Sequence, residues 1–265
     1  MTDIAIQPAL FVAHGSPMNA ILDTPYSRAW RALGQRLPRP RAILAVSAHW
    51  ETAGVAVTAM DRPRTIHDFG GFPQALFDMQ YPAPGSPALA ERVAALLAPE
   101  PVQLDTQDWG LDHGTWSVLV HMFAQADIPV VQLSLDLHRT GAEHLALARR
   151  LGPLRDEGVL VIGLGNIVHN LRTARRGDAA EPYAWAERFD QAVAQALQAG
   201  DDDGLAHWER LDPQARFAVP TPEHYLPLLY AIGLRRPHEP VAFPTAGIEW
   251  GSLSMRSAAY GLTSA

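Results

Sequence analysis

The sequence predicts an α/β fold, one domain built on a central, largely parallel or mixed β-sheet flanked by helices. Three observations carry this expectation. Short apolar runs rich in Val, Ile and Leu recur along the chain, and helical patterns with recognisable start signals separate them. The 265 residues, 48% hydrophobic and 18% charged, suffice for one large core.

Taken in order, Ala9 to Ala13, Ala42 to Val46 and Val55 to Thr58 read as strands, because apolar runs of this length without alternation are covered on both faces. The Pro- and Gly-rich stretch from Asp61 to Pro87 reads as a functional or lid-like loop inside the domain. Ser86-Pro87 places a capping serine before a proline and opens a helix to about Leu97. Pro129 to Leu135 is the next strand, and Thr140 with Glu143 has capping-box spacing for a helix to about Asp156. Val159 to Leu164 is a further strand. Helices then follow over Glu181 to Leu197 and from Thr221-Pro222 to Gly233. No repeat or long linker divides residues 1–265, so they are expected to form a single domain.

Composition removes several kinds of chemistry. With 21 basic against 28 acidic residues the net charge is −7, which argues against a nucleic-acid partner or an anionic membrane surface. There is no cysteine, hence no thiolate nucleophile, disulfide or Cys-ligated metal. There is no lysine either, so all 21 basic residues are arginine, and a Schiff base or P-loop lysine is excluded. The first basic residue is Arg28 and the opening apolar stretch is broken by Gln7, Pro8 and His14, unlike an export signal. No apolar run approaches the roughly 18 residues of a membrane helix, and a chain without disulfides fits the cytoplasm.

What remains for catalysis is His, carboxylate, hydroxyl, Arg and bound metal, and the placement of the 11 histidines is informative. His14, His49 and His169 each follow an apolar run, at the carboxyl ends where open α/β sheets bind ligands. His224 falls in the first turn of the helix expected from Pro222, where the helix dipole favours a neutral ring. His113 lies in a glycine-flanked polar loop before another helix, a position suited to meeting substrate. His67, His121, His138, His144, His207 and His238 lack such placement and are read as packing or surface residues, although His67 precedes the glycine-rich Asp68 to Pro73 loop. Imidazole ligands suit zinc, iron, nickel or copper, and spacing does not choose between zinc and iron. Trp50, Phe72 and Tyr225 stand near these histidines as either pocket walls or core.

Other motifs fail. Gly163 and Gly165 begin a dinucleotide fingerprint, but Val168 stands where its third glycine belongs. Neither a Gly-x-Ser-x-Gly elbow nor HExxH occurs. The run Asp201 to Asp203 reads as a solvated helix start.

Together, His14-Gly15-Ser16-Pro17, Ser47-Ala48-His49-Trp50, Thr65 to Pro73, Gly110 to Gly114, Gly163 to Asn166 with His169-Asn170, and Pro222 to Tyr225 resemble the class III extradiol ring-cleavage dioxygenases, in particular the 4,5-DOPA extradiol dioxygenase branch. The resemblance runs from about Pro8 to Tyr260. It implies a single extradiol-dioxygenase-like catalytic domain that opens a catechol such as DOPA with O₂ to a muconate semialdehyde. His14 and His49 match the family's two histidine ligands. His224 falls where protocatechuate-cleaving relatives use a glutamate, so the metal keeps a higher net charge unless the adjacent Glu223 takes that place. His169 matches an acid/base histidine that zinc-bound members also count as a ligand, and His113 a second histidine facing substrate. Fe(II) is the expected active metal, with Zn(II) able to occupy the site. A zinc-dependent hydrolase and a non-enzymatic metal-binding protein on the same scaffold are the alternatives.

Overall fold

The computed structural model describes residues 4–175, 177 and 180–262. Its strands are β1 (Ala9–Ala13), β2 (Ala42–Thr52), β3 (Val55–Thr58), β4 (Arg64–Thr65), β5 (Val102–Asp105), β6 (Gly110–Leu111), β7 (Val130–Asp136), β8 (Val159–Gly165), β9 (Val241–Ala242), β10 (Ile248–Glu249), β11 (Leu253–Ser254) and β12 (Ala258–Tyr260). Eight of them form one sheet in the order β5-β3-β7-β2-β8-β1-β12-β9. The centre, β7-β2-β8-β1, is parallel, whereas β3 runs antiparallel to β7, and β12 antiparallel to β1. The sheet is therefore mixed, as one of the two expected forms.

Alternate residues of the central strands feed two apolar layers, since successive side chains leave opposite faces. Phe11, Leu44, Val46, Leu133 and Val161 belong to one cluster; Leu10, Val12, Ile43, Ile162 and Leu164 belong to the other. The helices, in chain order, are α1 (Pro25–Arg36), α2 (Gln74–Phe77), α3 (Pro87–Leu97), α4 (His113–Met122), α5 (Gly141–Arg150), α6 (Pro153–Asp156), α7 (Ala184–Ala199), α8 (Asp202–Ala206), α9 (Ala215–Ala218) and α10 (Leu226–Gly233). α3, α5, α7 and α10 cover the first layer, while Trp30 and Leu33 of α1 and Trp116 and Leu119 of α4 cover the second.

Four boundaries differ from the sequence reading. The helix expected to reach Asp156 is two, because Pro153 has no N–H to continue the ladder and opens α6 instead. The helix expected from Glu181 begins at Ala184, after the extended cap residue Tyr183, and ends where Gly200 turns left-handed at φ +70°. The helix expected from Pro222 begins at Leu226, since the Thr221 hydroxyl bonds the Glu223 carboxylate rather than capping a backbone N–H. β2 runs six residues past Val46, with a register shift between Val46 and Glu51, so His49 lies within the strand and not beyond it. The 61–87 stretch carries β4 and α2, and β4 pairs with β6 just before α4. Asp201 caps α8 through the Gly204 N–H, as a solvated helix start should.

Candidate active site

The strand ends bring five histidines together. His14 follows β1 directly, and Gly15 after it turns left-handed at φ +58°, where a side chain would be strained. His49 comes from the shifted part of β2. His224 sits in the turn before α10, and Asn166 after β8 anchors that turn by donating its N–H to the His224 carbonyl at 2.8 Å. His169 follows β8 and bridges to Leu253 of the β10–β11 hairpin. His113 is the first residue of α4, which Asp112 caps through the Thr115 N–H.

His14, His49 and His224 form a compact trio whose candidate ligand nitrogens all lie within 4.8 Å of one another. Each ring is anchored on its Nδ1 side. His14 Nδ1 donates to the Gly15 carbonyl at 3.0 Å, His224 Nδ1 to Glu223 Oε1 at 2.9 Å, and His49 Nδ1 lies 3.2 Å from Asp68 Oδ2. The first two are hydrogen bonds that put the proton of His14 and His224 on Nδ1 and leave Nε2 as a lone pair, and the Asp68 carboxylate beside His49 Nδ1 favours the same tautomer there. The Nε2 atoms of His14 and His49 face each other at 3.3 Å, and that of His224 is buried without a hydrogen-bond partner. Three convergent lone pairs lacking donors suit a cation, and tetrahedral or open imidazole coordination is the ordinary use of such a set. Among the described residues two other His/carboxylate groups occur, His49-Asp68-His113 and His169-Glu223-His224, but in them the carboxylates already lie against ring nitrogens.

Burial also keeps the trio neutral. It pushes the His14 ring down to about 3, helped by the charges of His113 and His169. His49 and His224 are lowered well below the ordinary value, again first by burial and then by the neighbouring imidazoles. Burial and imidazole crowding, rather than the dipole of a helix that starts only at Leu226, account for the neutral His224. His169 stacks on His224 with centroids 3.4 Å apart and planes 9° from parallel; burial, then His113, lowers its ring to about 4.

The sequence reading missed Asp68. Oδ1 accepts the His113 backbone N–H at 2.9 Å, one of the first-turn donors a helix leaves free, and lies 2.9 Å from His113 Nδ1, out of line for a hydrogen bond. Burial works to raise this carboxyl, but the contacts with His113 outweigh it and hold it below the usual range. The one sequence signal was its position in the glycine-rich loop. Glu223 was noticed as a possible ligand, yet its carboxylate faces the Nδ1 of His224.

The histidines open into a cavity of about 350 Å³ walled by Phe69, Phe72, Leu171, Trp250 and Leu253. Of the aromatic candidates, Phe72 is a wall. Trp50 instead stacks on Trp109 at 5.6 Å, and Tyr225 is buried with its hydroxyl on the Leu205 carbonyl, so both are core. His67 is packing as well: Nε2 meets the Met79 carbonyl at 2.9 Å and the ring lies against Phe69, Phe77 and Trp116. His121 and His144 likewise serve backbone carbonyls, of Asn19 and Asp136.

Residues 7–260 match the family described as the catalytic LigB subunit of aromatic ring-opening dioxygenase. The chain belongs to this LigB family. It is 53% identical over 256 residues, 96% of this chain and 94% of that protein, to the 4,5-DOPA dioxygenase extradiol of Escherichia coli (strain K12). It is 41% identical over 237 residues to the protein of the same name from Beta vulgaris, covering 86% of this chain and 87% of the other. A solved structure of an uncharacterized protein from Escherichia coli K12 superposes with a TM-score of 0.85 at 46% identity, over 96% of this chain and 100% of that one. As a LigB dioxygenase the chain is a metal-dependent enzyme that opens aromatic rings, with a small aromatic compound and O₂ as reactants. Among the described residues no helix is long and apolar enough to cross a membrane.

Proposed function

We propose that residues 1–265 act as one catalytic domain, an extradiol dioxygenase that opens a catechol such as DOPA with O₂ to a muconate semialdehyde. The observation that carries this is the trio of buried imidazoles whose candidate ligand nitrogens converge beside an aromatic-walled cavity. That volume lies in the roughly 300–1,000 Å³ usual for small-molecule sites. The printed names of the relatives support the catechol class.

In this reading His14, His49 and His224 would hold the metal, and His169 stacks on His224 beside them. A bound Fe(II) supplies Lewis-acid and redox chemistry that Zn(II), having one accessible oxidation state, supplies only in its Lewis-acid part. His169, neutral at physiological pH, accepts a proton from a catechol hydroxyl as general base. That proton goes back to the substrate as the ring opens, either from His169 itself or through His113, which faces the same cavity. Phe69, Phe72 and Trp250 hold the aromatic ring and exclude water. A chain without cysteine fits a cytoplasmic setting for this reaction.

The test is anaerobic reconstitution of apoprotein with Fe(II) or Zn(II), followed by DOPA or a simple catechol and then air. Iron-dependent O₂ uptake with a yellow product is expected. Tight metal binding with no uptake on any catechol would overturn the proposal.

A further inference from the structure

The three rings of the trio differ in what anchors them. The Gly15 carbonyl and the Glu223 carboxylate each anchor one histidine ring, whereas the carboxylate on His49 is also engaged with a second histidine. Asp68 Oδ2 lies 3.2 Å from His49 Nδ1, while Oδ1 accepts the His113 backbone N–H and stands 2.9 Å from its Nδ1. The two rings so bridged have centroids 4.0 Å apart. One faces the trio and the other the cavity.

Asp68 is itself held firmly. Ile66, two residues before it, donates to the Leu111 carbonyl at 2.7 Å and accepts from Trp116 Nε1 at 2.8 Å. Phe69, next after it, packs edge-on against His113 at 5.5 Å and against Phe72 at 5.4 Å. The segment that supplies the carboxylate thus also supplies the aromatic wall, and both are tied to the first turn of α4.

We propose that Asp68 is a shared positioning residue, whose single carboxylate orients His49 toward the metal and His113 toward the substrate together. This rests on the reading of His49 as a metal ligand and His113 as a substrate-facing residue. The chemistry of the group explains why a carboxylate is required. An ionised Asp offers acceptors on both oxygens, whereas Asn offers one acceptor and one donor group. With the Asn oxygen on the His113 N–H, its NH₂ would face the His49 Nδ1–H. His49 would then have to move its proton to Nε2, where the lone pair toward His14 is lost.

Two variants test this, with Co(II) and Zn(II) titrated into apoprotein as probes that do not depend on turnover. D68N is expected to weaken binding about 10–100-fold, the usual effect of removing a partner that orients a ligand, and to alter the visible Co(II) band. D68A is expected to do the same and also to keep kcat at least about 10-fold down at saturating metal, because His113 loses its anchor too. A wild-type Co(II) spectrum and affinity in both variants would overturn the proposal. So would full recovery of kcat in D68A at saturating metal, which would leave Asp68 acting through His49 alone. If D68A does not fold, the isosteric D68N carries the metal arm. If wild-type protein cleaves no catechol, the dioxygenase reading fails while the Co(II) and Zn(II) titrations still decide the anchoring of His49.

Discussion

Replacing Gly114 by alanine should damage the metal centre through one methyl group. Gly114 is the second residue of α4, so alanine would favour the helix by on the order of 0.5–1 kcal/mol. A Cβ built there lies 2.8 Å from His49 Cδ2 and 2.7 Å from Ser47 Oγ. Carbon atoms in comfortable contact stand about 3.5–4.0 Å apart, so the His49 ring must retreat by about 0.7 Å or more. It cannot simply swing away, since Nδ1 lies on Asp68 and the ring lies on His113. The Nε2 pair with His14, at 3.3 Å, absorbs the shift. A displacement near 1 Å at a reacting centre costs roughly 10²-fold, and we expect a loss approaching that in Zn(II) affinity and in kcat/KM. The assay is calorimetric titration of apoprotein with Zn(II), with a thermal melt alongside to separate local from global damage. Zn(II) affinity and turnover both within twofold of wild type would refute the steric reasoning.

Further outcomes follow from other contacts. H169N should lower kcat by roughly 10²–10⁴-fold, the range of a lost general base, with the metal retained; stopped-flow turnover beside a metal assay checks it, and full activity would remove the role. E223Q should weaken metal binding by about 10–100-fold, because the Nδ1 proton of His224 loses a charged acceptor; an unchanged metal titration would contradict this. His144, outside the site, gives a pH test. Burial lowers its ring from 6.5 to about 4, although the hydrogen bond with the Asp136 carbonyl opposes the shift. Between those values the unfolded chain binds more protons, so its contribution is complete above pH 6.5 and is lost as pH falls toward 4, by up to about 3 kcal/mol. Urea unfolding at pH 7.5 and 4.5 should therefore show a shallower pH dependence in H144Q than in wild type; equal dependence in the two proteins would count against it.

Much of the scaffold was legible because its signals are local. Ala9–Ala13 and Val55–Thr58 coincide with the apolar runs that mark them, and Pro87–Leu97 with its Ser-Pro start. The two-residue strands were not legible, because β4, β6, β9, β10 and β11 are too short to show a period and exist only through their partners. The extension of β2 through His49 was hidden for a related reason: polar Ser47, His49 and Glu51 break the apolar run, and pairing with β7 resumes only past the register shift.

By itself the sequence determined which residues could do chemistry. Lacking Cys and Lys, it left histidine and carboxylate, and it put His14 and His169 beyond strand ends where ligands collect. Tertiary structure decided what each of them does. Whether an imidazole offers a lone pair to a cation or a hydrogen bond to a carbonyl depends on what meets its other nitrogen, and those partners come from distant segments. The carboxylate of Asp68 reaches His49 from 19 positions along the chain and His113 from 45. The same dependence separates His224, whose Nε2 is left bare, from His144, both of whose nitrogens are occupied by Tyr230 and Asp136. Residue type sets what a side chain is able to donate or accept; only the packed fold sets what is there to receive it.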